Sequence, residues 1–406
     1  MLMKIFSTID RVSRISLFLV AAIGGSLSAQ QVPEVFTLNP HRLVQVREAY
    51  RSGDKDLMPV INKVLRDADK AMKLKPVSVM VKDQIPPSGD KHDYMSLAPY
   101  WWPDPATKDG LPYVRRDGEV NPERENFPDR DNFGKLQSAV FSLGLGYFLS
   151  GKEDYARHAT ELVTVWFLDS TTRMNPNLNF GQAIRGRNDG RGAGLIEMHM
   201  LVRVIDALAL IKGSASWSPE HQSGMVSWCN AYYAWLTSSK QGLDEHGAPN
   251  NHGSWYTVQT ATIAAFTGKK EEAVRILNES KSIRVAAQIE TDGRQPKELE
   301  RTKAEGYCTF NLQALTTLAV IGSNLGVDLW HFSTADGRSI KKALEWMVPF
   351  YAGEKRWPYQ QIVDFDKTEA FEVLVRASSY LGNEYEKALL AMAPKEKEKQ
   401  RAILLY

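Results

Sequence analysis

From about Pro40 onward, apolar residues recur at the spacing of a helix, and that rhythm limits the folds open to the chain. Leu136, Val140, Leu143 and Tyr147 fall at i, i+4, i+7 and i+11, one stripe of an amphipathic helix. Similar stripes run over roughly 41–75, 153–168, 191–213, 219–239, 254–267, 269–287, 304–325, 338–351, 366–381 and 383–392. Alternating β-branched runs are few, and Val77–Val81 is the best strand candidate. Short turns such as Ser150-Gly151-Lys152 and Thr267-Gly268-Lys269 separate the stripes, which favours antiparallel neighbours. The expected class is all-α, built from helical hairpins that close into a toroid or stack as a solenoid. The absence of a fixed-period repeat argues against a regular solenoid. At 406 residues, 43% of them apolar, the chain can bury a large core as one unit.

Three segments break the rhythm: Lys82–Phe133, Thr171–Gly194 and Asp244–Gly253. Long loops inside a helical domain are usually functional or disordered. These are too rich in Trp, Tyr, Asn and Arg for disorder, and are read as the walls of one cleft. The Lys395–Lys399 charge run reads as a solvated helix end or tail.

Two stretches carry the chemistry. Asn250-Asn251-His252-Gly253-Ser254-Trp255-Tyr256 lies where a helix is expected to start, near Gly253. Asn is a good N-cap, so Asn250, and less readily Asn251, can serve the helix alone. A helix N-terminus is also a natural seat for an anion, and an amide donating to a sugar carboxylate does the same work. Downstream, Arg301 and Tyr307 lie six apart at the start of another helix. In one pocket, the guanidinium would favour the phenolate and lower the tyrosine pKa from about 10, as a tyrosine base requires. The plain alternative is a surface ion pair for Arg301 and a core position for Tyr307. Together the two stretches offer an amide, an imidazole, a guanidinium and a phenol, the groups needed to take a proton from a carbon beside a carboxylate.

Around them, Tyr100, Trp101 and Trp102 offer flat faces for sugar rings, or a hydrophobic plug. His92, Tyr94, Asn179, Gln182, Asn250, Trp255, Arg294 and Glu300 are further candidate substrate contacts. Arg185, Arg187 and Arg191 can clamp carboxylates through paired hydrogen bonds. Gly190-Arg191-Gly192-Ala193-Gly194 has the spacing of a dinucleotide loop, but no strand precedes it. No Cys/His spacing suits zinc, no acidic cluster suits calcium, and no cofactor is expected. Cys229 and Cys308 read as two buried thiols, with a disulfide as the alternative.

The N-terminus reads as a leader. Lys4, Arg11 and Arg14 precede the apolar run Ile15–Ile23 and the small residues Gly24–Ala29, the layout of a secretory signal peptide cleaved after Ser28 or Ala29. An uncleaved anchor is the alternative, though the run is short for a membrane span. The division expected is a signal peptide over 1–29 and a single domain over 30–406, periplasmic or secreted, with no membrane attachment after cleavage. The leader holds three basic residues and one acidic, so removing it takes the formal net charge from +2 to zero. A neutral chain is not built for nucleic acid. An anionic polymer would need a local basic cleft. Oligomeric state is not legible.

Asn-Asn-His followed by Ser/Trp/Tyr, then Arg and Tyr about fifty residues on, resembles the alginate lyase superfamily of helical-barrel polysaccharide lyases. So do Asp90-Lys-His-Asp-Tyr-Met-Ser, Ala98-Pro-Tyr-Trp-Trp-Pro, Gly190-Arg-Gly-Ala-Gly and Glu298-Leu-Glu-Arg-Thr. The likeness is closest to polysaccharide lyase family 38, the glucuronan and alginate lyases of gut Bacteroidetes, with family 5 more distant, and spans roughly Gly89 to Leu325. It implies an incomplete (α/α) toroid with long cleft-forming loops, and β-elimination on an anionic uronic-acid polysaccharide. By the same resemblance, Asn251 neutralises the substrate carboxylate and His252 stands beside the reacting sugar, the base for one C5 stereochemistry. Arg301 supports the carboxylate or the phenol, and Tyr307 protonates the leaving oxygen and, in syn elimination, is also the base. The family 5 pattern has an Arg–Tyr interval one residue longer than the six here, which makes Arg294 the alternative to Arg301. Two other readings stay open. An inverting glycoside hydrolase would need two opposed acids, drawn from Asp93, Asp189, Glu197 and Glu300. A glycan-binding protein would use the aromatic loop and arginines without turnover.

Overall fold

The computed structural model describes residues 32–393 and 400–406. The leader and the Lys395–Lys399 run lie outside the described residues. The stripe expected over 41–75 is two helices, α1 (Pro40–Ser52) and α2 (Met58–Ala71), because Gly53 takes a left-handed φ of 70° and ends the first. α3 (Asp129–Ser150) and α4 (Glu153–Val163) form a hairpin turned at Gly151, and α4 runs on into a π-helical turn at Thr164–Leu168. There follow α5 (Leu201–Ile211), α6 (Pro219–Ser238), α7 (Lys240–His246), α8 (Asn251–Phe266) and α9 (Lys270–Ser280). Then come the single turn α10 (Pro296–Leu299), α11 (Ala304–Leu325), α12 (Ile340–Tyr351), α13 (Phe371–Leu381) and α14 (Glu386–Met392).

α3, α5, α8, α11 and α13 pack one against the next in that order. They are buried on most sides, α8 without a break from Gly253 to Ala264, as inner helices must be. α2, α4, α6, α9 and α12 cover them from outside. α6 shows the outer pattern: Met225, Trp228, Cys229, Tyr232, Tyr233 and Leu236 form one buried stripe. The result is an α/α toroid. Residues 401–404 pack against α1, α2 and α13 and fill the seam between them. There Asn39 N donates to Leu405 O at 2.9 Å, Arg42 Nε to Ile403 O at 2.9 Å, and Arg376 Nη2 to Tyr406 Oη at 2.8 Å. Cys229 and Cys308 are separate buried thiols.

Some expectations fail locally. Val79–Val81 is a 3-10 turn capped by Ser78, whose Oγ accepts from Met80 N at 3.0 Å; among the described residues, no strand pairs with Val77–Val81. The strands lie in the loops. β1 (Met95–Leu97) pairs parallel with β4 (Phe180–Ala183), lacing the first long loop to the second. β2 (Trp101–Trp102) pairs antiparallel with β3 (Val114–Arg115). The stripe over 191–213 is split into a 3-10 segment, Gly192–Met198, and α5. Much of the third loop is helical, since α7 runs to His246.

One buried ion pair anchors the first loop. Lys82 Nζ lies 3.0 Å from Asp129 Oδ2, both side chains fully buried, and also donates to Val79 O at 2.6 Å and Lys91 O at 2.7 Å. Burial pushes the Asp129 carboxyl up to about 6 and the Lys82 ammonium down, each opposed by its partner. Lys82→Met would strand a buried carboxylate and two carbonyls, so a loss of about 3–5 kcal/mol is expected in a denaturant melt. A loss under about 1 kcal/mol would mean that the pair does not anchor the loop.

Candidate active site

Asn250 is the N-cap of α8, its side-chain oxygen accepting from His252 N at 3.3 Å. The helix therefore starts two residues before Gly253. Asn251, 1% exposed, opens the first turn, its backbone N donating to Glu298 Oε1 at 2.6 Å and its amide to Glu298 Oε2 at 2.8 Å. Glu298 sits on α10, and burial raises its carboxyl while the Asn251 bonds oppose that shift. His252 Nδ1 lies 2.9 Å from Glu245 Oε2 on α7. With Nδ1–H donating to that carboxylate, Nε2 is left as the free ring nitrogen.

The second group forms at the start of α11. Arg301 Nη2 donates to Tyr307 Oη at 2.7 Å, and its guanidinium carbon lies 3.7 Å from the ring centroid. Tyr307 Oη donates to Tyr100 Oη at 2.9 Å. Asp117, from the first loop, takes Arg301 Nη2 at 2.8 Å and Nε at 3.1 Å. The expectation of a lowered tyrosine pKa fails. Burial pushes the Tyr307 phenol up and outweighs the pull of Arg301, with Tyr100 and Asp117 adding to the rise. Tyr307 is thus held in its protonated form.

The second loop supplies a third group. Gln182 is the one non-glycine residue with positive φ (50°) among the described residues, its N donating to Ser96 Oγ at 2.8 Å. Strained backbone of this kind clusters at functional sites. Gln182 Oε1 accepts from Arg191 Nη2 at 2.6 Å. Arg191 has no ion-pair partner among the described residues, its Nε is buried without a partner, and burial lowers its pKa. A largely buried guanidinium that touches no carboxylate, with Glu245 and Glu197 only within electrostatic reach, is suited to an anionic ligand. The glycines around it serve close packing: a Cβ on Gly190 would stand 1.9 Å from Asn179 O. Arg187 is exposed, with its guanidinium 5.1 Å from the Trp101 ring centroid and Nε bonded to Tyr113 O. Trp102, half-buried, donates to Glu119 O, and Asn179 Oδ1 accepts from Trp235 Nε1 at 2.9 Å.

These groups share one region. Glu298 is within electrostatic reach of both His252 and Arg301, and Arg191 of both Glu245 and Arg301. Each candidate group is backed by a carboxylate from another element: Glu298 for Asn251, Glu245 for His252, Asp117 for Arg301. None of the three was singled out in the sequence. Glu298 stood inside a quoted motif and Glu245 inside a noted loop. Asp117 carried only the turn signal of Asp-Gly.

Several expected contacts are corrected. Tyr94 is fully buried, its hydroxyl donating to the buried Glu197 at 2.8 Å, so it braces the wall from behind. Trp255, 3% exposed, packs on His199 and Phe310 in the core. The Asn250 side chain is engaged by its cap. Arg294 is exposed and paired with Asp292, so Arg301 needs no substitute beside Tyr307. Glu300 forms a surface pair with Lys297. His92 Nδ1 bonds Arg173 O at 2.6 Å, bracing the first loop on the second.

A model of the alginate lyase family matches residues 78–357. Among solved structures, an alginate lyase from Bacteroides ovatus is 41% identical and superposes with a TM-score of 0.88, over 92% of this chain and 99% of that one. A histidine-to-alanine variant of alginate lyase A1-III complexed with a tetrasaccharide is 16% identical, with a TM-score of 0.57 over 90% of this chain and 92% of that one. A tyrosine-to-phenylalanine variant of the same lyase, also with a tetrasaccharide, gives 16% and 0.57 over 92% and 100%. Those two are likenesses of fold alone. A search of curated proteins returned no match.

Proposed function

The chain belongs to the alginate lyase family, and from that premise we propose that this polysaccharide lyase cleaves a uronic-acid polymer, glucuronan or alginate, by β-elimination. The observation that carries the reading is the Arg301–Tyr307 contact in the region shared with His252 and Asn251. A sugar C5–H is a weak acid, and removing its proton puts charge onto the C6 carboxylate. The guanidinium groups of Arg301 and Arg191 are suited to hold that carboxylate and stabilise the developing charge, and the Asn251 amide joins them only by giving up one of its two bonds to Glu298. His252 Nε2 takes the C5 proton. Tyr307, neutral because it is buried, gives its proton to the departing C4 oxygen. A 4,5-unsaturated uronate end results, with no metal needed at any step.

A hydrolase would need two opposed carboxylic acids free in the cleft. Asp93 is bonded to Ser88, Asn175 and Asn177, Glu197 is buried beneath Tyr94 and Ser96, Glu300 is on the surface, and Asp189 is exposed on the second loop without one of the other three opposite it as a free acid. That distribution favours the lyase. We also propose that the protein is exported and loses residues 1–29, which an N-terminal mass measurement on the native protein would test. The decisive assay mixes purified protein with glucuronan and with mannuronate- and guluronate-rich alginates, following ultraviolet absorbance of the conjugated product. A rise is expected with at least one polymer. New reducing ends without absorbance would replace elimination by hydrolysis, and binding without either product would remove catalysis.

A further inference from the structure

We propose that Asp117 is a positioning residue for the reaction, carried in on the first loop to hold the Arg301 guanidinium against the ring and hydroxyl of Tyr307. The inference rests on the roles given above to Arg301 and Tyr307.

The Asp117 carboxylate grips Arg301 from the side. Oδ1 takes Nη2 at 2.8 Å and Oδ2 takes Nε at 3.1 Å, a paired geometry that fixes the guanidinium plane. The same Nη2 reaches Tyr307 Oη at 2.7 Å, so the nitrogen that meets the acid is the one whose place Asp117 sets. The grip extends to the next residue. Oδ2 accepts from Thr302 N at 3.2 Å and Oγ1 at 3.1 Å, and Asp117 O accepts from Thr302 Oγ1 at 2.9 Å. The loop comes this close because Gly118 follows: at its φ of 80°, a Cβ would stand 2.4 Å from Thr302 Oγ1. The two side chains are 14% and 18% exposed, which limits solvent screening.

Asp117 also balances charge. Around the phenol stand Arg301 from the turn before α11, and Tyr100 and Asp117 from the first loop. Arg115 lies behind Asp117, while Glu298 and Arg191 act on Arg301 from α10 and the second loop. Without the Asp117 charge, Glu298 is the carboxylate still acting on Arg301, while burial, the main cause of the raised phenol, keeps Tyr307 protonated.

The test uses Asp117→Ala, Asp117→Asn and Asp117→Glu on a uronate oligosaccharide that the wild type cleaves, with thermal melts to confirm folding. Asp117→Ala is expected to lower kcat about a hundredfold with KM within about threefold, the signature of misplaced chemistry. Asp117→Glu is expected to recover most of that loss. Asp117→Asn keeps one acceptor oxygen, turns a donating NH2 toward an Arg301 N–H and loses the charge, so its kcat is expected to fall about as far as that of Asp117→Ala. A folded Asp117→Ala with kcat within about threefold of wild type, or with the loss in KM alone, overturns this inference by itself. So does a folded Asp117→Asn with kcat within about threefold of wild type. A wild type that cleaves no polyuronate overturns the functional reading and this inference with it.

Discussion

Replacing Tyr307 by phenylalanine is expected to lower turnover by at least about 10³-fold while the affinity for an uncleaved oligosaccharide changes by less than about threefold. The substitution removes one hydroxyl and keeps the ring, so the stacking of Arg301 on that ring survives. What is lost is the proton donor for the departing oxygen, together with the bonds to Arg301 and Tyr100. Burial holds the phenol protonated, so an acid is ready at neutral pH without preparation. Rate and equilibrium binding, measured separately on the same oligosaccharide, check the expectation. Near-full activity in Tyr307→Phe would remove Tyr307 from the reaction and leave the first loop's tyrosine, Tyr100, as the nearest remaining phenol.

The second large effect is expected from His252→Ala, a fall in kcat of about 10²-fold or more, since general bases contribute on that scale. The imidazole is held by Glu245 through Nδ1, so its other nitrogen is presented with a fixed tautomer. Added imidazole should restore part of the rate in the alanine variant, because the vacated space takes a small base. Loss of binding with an unchanged chemical step would instead make His252 a substrate contact. Tyr307 would then be the group left to take the C5 proton.

The helical frame was legible because inner and outer helices differ in a pattern that periodicity reads directly, as in the stripe from Met225 to Leu236. Breaks within stripes were not. Gly53 ends α1 through a backbone angle that an apolar pattern does not encode. In the site, Asn251, His252, Arg301 and Tyr307 stood out as unusual polar groups at helix starts, and the fold brings them together. Their supports were hidden, because Asp117 and Arg301 are 184 positions apart and nothing local marks either as the other's partner. Trp255 and Tyr94 misled for the opposite reason. Each is an aromatic residue beside a functional motif, but the core claims Trp255 and Glu197 claims Tyr94. The sign of the Tyr307 shift also depended on burial, which a neighbouring arginine in the sequence does not report.

The seam filled by residues 401–404 bears on how the molecule is assembled. Arg42 meets Ile403 across 361 positions of chain. Contacts so distant come late, because the loop entropy must be met before they form. Until then Leu404 and Leu405, buried in the finished ring, have no place to go, and the faces of α1, α2 and α13 that the segment covers stay open. Loss of that short segment should therefore show first as aggregation during refolding, in the yield of native protein rather than in the activity of the molecules that succeed.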